Sequence, residues 1–194
     1  MLTSVGLYAW QPSQPQSALA ERAKEEFLKH QYAAAERDFR EVSQVDPSNI
    51  QAHLYLGHAL FKQEKYPEAI APYEKALALE QQQKKRLSKT DVRVLTDQLV
   101  MAYGSSGLLK KAHALLDSAI KQDPDYPLNY YNRACAFAEE SDKPGMLAAL
   151  RSAFERKQNV LIGEQLPDPR ADSSFVKYLR DANFTELMKE LGFK

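Results

Sequence analysis

Between Ile50 and Gln83 the apolar and small residues Leu56, Gly57, Leu60, Tyr66, Ala69, Ile70, Tyr73 and Ala76 fall at helical spacing, with one interruption near Gln63-Glu64-Lys65. The pattern predicts a helix, a tight turn and a second helix. Gly57 and Ala69 remove side-chain bulk where the two helices would otherwise be held apart. A single hairpin of this kind cannot bury both of its apolar faces, so the pattern demands neighbouring copies stacked against it.

Those copies are present. Upstream, Ala23, Tyr32, Ala35, Phe39 and Val42 stand 34 residues before Gly57, Tyr66, Ala69, Tyr73 and Ala76. Asp46-Pro47-Ser48-Asn49 closes this first unit, because proline cannot continue the helix before it and Ser or Asn suits the cap of the next. Downstream, Leu99, Val100, Tyr103, Leu109, Ala112, Leu116 and Ala119 repeat the set at a step of 43. Nine residues have been added, within Gln81 to Lys89, where helix formers and the cations Lys84, Lys85, Arg86 and Lys89 predominate. A lengthened helix end and a short break are expected there, with Ser88 and Asp91 as a capping box for the following helix. Asp123-Pro124-Asp125 ends the third unit. The fourth, 34 residues on, has Ala134, Phe137, Met146, Leu150 and Ala153 at the matching places, and Asp142-Lys143-Pro144-Gly145 reads as its internal turn. From Gln158 to Asp172 two prolines, a glycine and no helical period predict an ordered connecting loop. Phe175, Tyr178 and Leu179 mark one short helix. Phe184, Leu187, Met188 and Leu191 mark another, with Asp181 to cap it and Gly192 to end it.

Four units at steps of 34, 43 and 34 residues, with a recurring small residue, tyrosine and alanine and a degenerate fourth copy in which Met146 replaces the alanine, resemble the tetratricopeptide repeat family over about residues 16 to 160. The final LRDANFTELMKELGFK is similar to the closing segment of bacterial arrays of this kind. Two features depart from the family pattern. The frequent tryptophan near the start of each unit is Leu19, His53, Thr96 and Tyr130 here, and the proline ending the second unit is Gln81. The resemblance implies an all-α fold, a right-handed α-solenoid of about four hairpins with C-terminal capping helices. The expected division is a flexible leader over 1–15 and an array over 16–160. Its units lie near 16–49, 50–83, 93–126 and 127–160, with an extension over 84–92, and a connecting loop with capping helices occupies 161–194.

The resemblance also implies a concave wall built from the first helix of each hairpin. Residues expected to point into that groove are Glu21, Lys24, Leu54, Tyr55, His58, Lys62, Asp97, Gln98, Met101, Tyr131 and Asn132, with Cys135 beside them. Aromatic platforms with a few hydrogen-bonding tips suit a peptide better than a polyphosphate. The family's grip on a C-terminal carboxylate needs cations on three successive first helices. Here the matching places hold Ala20, Lys24, Tyr55, Val94 and Gln98 in one frame, and Leu54, His58, Gln98, Leu128 and Asn132 in the next, so neither frame has the needed set of cations and that mode is not expected.

Composition narrows the picture further. Lysine plus arginine and aspartate plus glutamate both total 26, so no global field draws the chain to nucleic acid or anionic lipid. The basic groups at 84–89 and 110–111 sit at an extension and a turn, as solvated helix faces do. Cys135 is the single cysteine, which removes internal disulfides and cysteine-based zinc clusters. His53 and His58 are five apart and diverge on a helix, so no metal or other cofactor is expected. No phosphate loop, nucleophile elbow or dinucleotide fingerprint occurs, and no transmembrane run. The reading is a non-enzymatic scaffold that binds a peptide or partner protein in its groove. The alternative is an accessory or sensor module of an enzyme or envelope-assembly complex, and self-association through the repeat faces is a further option. A cytoplasmic location is favoured, with a periplasmic or secreted one if the apolar Met1–Trp10 stretch is the remnant of an export signal.

Overall fold

The computed structural model describes residues 14–83 and 87–193, so the segment read as a leader or signal remnant (1–13) and the cations Lys84, Lys85 and Arg86 lie outside the described residues. Helices pair in chain order: α1 (Gln14–Leu28) with α2 (Tyr32–Val45), α3 (Ile50–Phe61) with α4 (Tyr66–Gln82), α5 (Lys89–Ser105) with α6 (Leu109–Gln122), and α7 (Pro127–Glu139) with α8 (Lys143–Glu155). Two 3-10 helices, Lys157–Asn159 and Ser173–Tyr178, and a last helix α9 (Ala182–Glu190) complete the chain. α1 begins inside the last two residues of the expected leader. The fold is an all-α helical repeat, an α-solenoid.

The repeat is written in the backbone as well as in the side chains. Each hairpin turns on one left-handed residue: His30 (φ 59°), Glu64 (φ 60°), Gly107 (φ 70°) and Ser141 (φ 64°), at the same steps of 34, 43 and 34. Only the third uses glycine, the residue that pays no steric cost there. The fourth turn differs from the one expected from sequence. It lies at Ser141, and Asp142 is the N-cap of α8, its carboxylate accepting from the Gly145 amide at 3.0 Å. Pro144 sits in the first turn of α8, where its missing N–H would have had no helical partner.

Packing follows the register. The small-residue position holds Ala35, Ala69, Ala112 and Met146, and the ring position Phe39, Tyr73, Leu116 and Leu150, all of them buried. Gly57 in α3 lies directly against Tyr73 in α4. A Cβ at Gly57 would come within 2.5 Å of the ring. At the first junction Glu36 accepts hydrogen bonds from Gln63, Lys65 and Arg40 at 2.7–2.8 Å, tying α2 to the turn between α3 and α4. Burial opposes ionisation of this carboxylate, but the three donors outweigh it and hold its pKa down at about 2.

The nine-residue insertion is mostly helix. α4 runs three residues past the register point at which α2 ends, and α5 starts four residues before the point at which α3 begins. Ser88 and Asp91 form the expected capping box. At the other end, the 3-10 helix Ser173–Tyr178 packs on α7 and α9 packs on α8, so the two take the place of a following unit. Asp181 caps α9 by accepting from the amides of Asn183 and Phe184, and Gly192 (φ 91°) ends it.

Candidate partner-binding groove

Successive first helices touch one another, α1 with α3, α3 with α5, and α5 with α7, whereas the second helices make no comparably extensive contact among themselves. The array therefore curves toward the first helices, and these form its inner wall. Lys24, His58, Met101 and Cys135 are one register position on that wall, and Leu54, Asp97 and Tyr131 are another.

Three side chains show how the wall is held. His58 Nδ1 lies 2.6 Å from Gln98 Oε1 and 2.9 Å from the Tyr73 hydroxyl, and Tyr73 also donates to Gln98 Oε1. Because that oxygen only accepts, the network assigns the proton to Nδ1 of His58. Burial lowers the pKa of this imidazole, with the Gln98 bond working against it, so His58 is neutral at pH 7 and links α3, α4 and α5. Tyr55 is half-buried, stacked on Phe39 at 5.3 Å and edge-on to Phe27 at 5.5 Å. Phe27 is a wall residue outside the set expected from sequence. It stands 34 residues before Phe61, and both pack against the core, so the repeat register itself carries the signal.

Asp97 and Asn132 bridge α5 and α7, the amide donating to the carboxylate at 2.5 Å. Burial raises the pKa of Asp97 to about 6, with Glu164 adding to the rise and Asn132 opposing it. Asp97→Asn tests the cost of that charge. A carboxyl whose folded pKa lies above its unfolded value loses stability as pH rises between the two, from about 4 to about 6. The variant is therefore expected to be more stable than the parent by about 1–2 kcal/mol at pH 8, the gap closing toward pH 4, in urea melts at the two pH values.

Two residues expected in the groove are core residues instead. Leu54 is 2% exposed, because α3 and its neighbours approach closely enough to cover a leucine on their seam. Tyr131 is also 2% exposed, its hydroxyl donating to Asp172 at 2.9 Å and its ring edge-on to Phe175. The connecting segment runs beside α7: Glu164 accepts from the Tyr126 hydroxyl at 3.1 Å, Leu166 packs with the Tyr131 core, and Asp172 approaches Cys135 Sγ at 4.0 Å. Burial, with Asp172 adding to it, raises the Cys135 pKa, so its thiol is protonated and inert at neutral pH. The fourth unit's share of the inner wall is thus covered by the chain itself. Glu21 and Lys62 are exposed, with Glu21 accepting from Lys24 at 3.4 Å, and Met101 is 47% exposed. Lys24, Tyr55, His58, Asp97, Gln98 and Asn132 are half-buried.

Among the described residues no group of three or more His, Cys, Asp or Glu side chains could hold a metal ion, and no helix is long and apolar enough to cross a membrane. A helical-repeat array with a rigid inner wall is the class of protein that the fold defines. Residues 21–84, which span the first two hairpins, match a family model described as Tetratricopeptide repeat. Solved structures agree in fold. MamA protein is 18% identical with a TM-score of 0.67 over 90% of this chain and 91% of that one. MamA 41-end from Desulfovibrio magneticus RS-1 is 13% identical with a TM-score of 0.67 over 92% and 96%. YrrB, described as a TPR protein with an unusual peptide-binding site, is 18% identical with a TM-score of 0.64 over 92% and 86%. No curated protein sequence matches the chain.

Proposed function

We propose that the chain is a non-enzymatic interaction scaffold that binds a peptide segment of a partner protein along the inner wall of α1, α3 and α5. The observation that carries this reading is the contrast along the wall. Its α7 end is covered by residues 164–172, while Lys62 and Met101 stay exposed over a framework pinned by the His58–Tyr73–Gln98 bonds. A pre-formed surface of this kind loses little entropy on binding, and methionine adapts to varied side chains. The covered end serves as an internal precedent, since an extended stretch of chain already lies against a first helix and is held by tyrosine hydroxyls donating to its carboxylates. YrrB supports the class of ligand, being a repeat protein of like fold with a peptide-binding site.

The test is selection of peptides from a random library on the intact chain, followed by affinity measurement on the variant Lys62→Glu with Met101→Glu. Both side chains are solvent-facing, so helicity is expected to be unchanged. Affinity is expected to drop by about tenfold or more, the scale set by loss of one contributing contact. Peptides that bind the variant as tightly as the parent would remove the groove from the reading.

A further inference from the structure

His53, Thr96 and Tyr130 occupy one register position, at the seam where each unit meets the one before it. At two of these seams a ring fills the place and is tied to the inter-unit turn. His53 Nε2 lies 3.1 Å from the carbonyl oxygen of Pro47. The Tyr130 hydroxyl donates to the carbonyl of Pro124 at 2.8 Å, and the Arg156 guanidinium lies 4.6 Å from the centre of its ring. At the seam between α4 and α6 the ring is missing. The side chain is Thr96, the turn proline is replaced by Gln81, and a cavity of about 730 Å³ opens between the helices.

The cavity has an apolar lining of Leu77, Leu87, Val92 and Leu115. Two buried polar side chains line it, Thr96 and Asn129, which are 5% and 4% exposed, and the exposed Gln81, Ser118 and Gln122 stand at its rim. Among the described residues neither side chain is hydrogen-bonded, and neither belongs to the enclosed polar atoms that lack a partner, so their polar atoms are open to the cavity. The charged groups of the lining are already engaged. Lys89 and Arg93 bond to Asp123 at 3.1 and 2.7 Å, and Glu80 accepts from the Leu87 amide at 2.8 Å. A fitting ligand is therefore uncharged, brings the ring that the sister seams supply internally, and offers a donor and an acceptor to a hydroxyl and a carboxamide.

We infer that this cavity is a second binding site, which takes an aromatic side chain of a partner polypeptide together with its flanking peptide amides. The peptide group supplies one N–H and one C=O, the complement of Thr96 and Asn129. The volume lies within the range of pockets that enclose small ligands. The α5 residues that line it, Lys89, Val92, Arg93 and Thr96, are not groove residues, and the site does not depend on the groove reading.

The test uses the full chain, isotope-labelled for NMR, titrated with N-acetyl-L-tyrosinamide, with N-acetyl-L-alaninamide as a ringless control and p-cresol as a ring without amides. Saturable shifts are expected at Thr96 and at the Asn129 carboxamide. Tyrosinamide is expected to bind at least about tenfold more tightly than alaninamide, the scale of a buried ring, and more tightly than p-cresol. Thr96→Tyr, which restores the missing ring from within, is expected to abolish the shifts. Ala119→Phe, filling the same space from α6, does so if the first variant fails to fold. Absent shifts, equal binding of alaninamide or p-cresol, or undiminished binding in the filled variant would each overturn the assignment. The Lys62→Glu, Met101→Glu variant is expected to titrate like the parent, which separates failure of this site from failure of the groove.

Discussion

Gly57→Ala is expected to destabilise the second unit by about 2–3 kcal/mol, the upper part of the range for overpacked cores. The new methyl would stand 2.5 Å from Cδ1 and Cε1 of Tyr73. That ring has nowhere to go. It is fully buried, and its hydroxyl is fixed between His58 and Gln98. Moving α4 away would relieve the clash only by opening the contacts of Ala69 and Ala76, both completely buried. The register suggests how the other units manage the same seam: Ala23 with Phe39, Val100 with Leu116, and Ala134 with Leu150. Bulk on the second helix is balanced against bulk on the first, and the second unit sits at the extreme, with a full ring opposite no side chain. The double variant Gly57→Ala, Tyr73→Leu, which copies the fourth unit, is therefore expected to recover part of the loss despite surrendering the tyrosine bonds. Thermal melts followed by circular dichroism measure both. A single variant as stable as the parent, or a double variant worse than the single by the full cost of Tyr73→Leu alone, would show that crowding is not what glycine avoids here.

That pairing is legible in the sequence, because it depends only on spacing. The steps of 34, 43 and 34 place the small residues and the bulky residues that face them, local cap signals place Asn49, Ser88 and Asp181, and all three caps accept the expected backbone amides. What spacing does not carry is the identity of whatever packs against a face. Leu54 and Tyr131 share a register position with Asp97, and the first two are buried while Asp97 keeps partial exposure. The difference lies in contacts made across about 40 residues, such as Tyr131 to Asp172. The loop from Gln158 to Asp172 has no period at all, so its course beside α7 has no local signal. The cavity at Thr96 is half visible. The missing proline and the missing tryptophan both stand in the sequence, but only the hydrogen bonds of His53 and Tyr130 reveal that they belong to one seam.

Phe175→Ala is expected to cost about 3–5 kcal/mol of local stability, the usual range for deleting a fully buried phenylalanine. Phe175 is wedged between the ring of Tyr131, edge-on at 5.9 Å, and that of Phe184, stacked at 6.0 Å. It is the side chain that joins the C-terminal segment both to α7 and to α9. In a repeat array each unit is stabilised mainly by its neighbours, so the loss falls on the terminal segment, and the first three units keep their helicity. Release of the segment would uncover the fourth unit's share of the inner wall, and Cys135 reports on that directly. Its thiol is half-buried beneath Asp172, held protonated by burial, and is the single thiol of the chain. Reaction with a thiol reagent at pH 8 is expected to accelerate by at least about tenfold in the variant, since the rate follows access and thiolate fraction. Peptides selected on the parent are expected to retain their affinity, because Lys62 and Met101 lie outside the covered end. A Cys135 that reacts at the parent rate in Phe175→Ala, with the C-terminal segment demonstrably melted by hydrogen exchange, would mean that the cysteine is shielded by α7 and α8 alone and that the segment does not close this end of the wall.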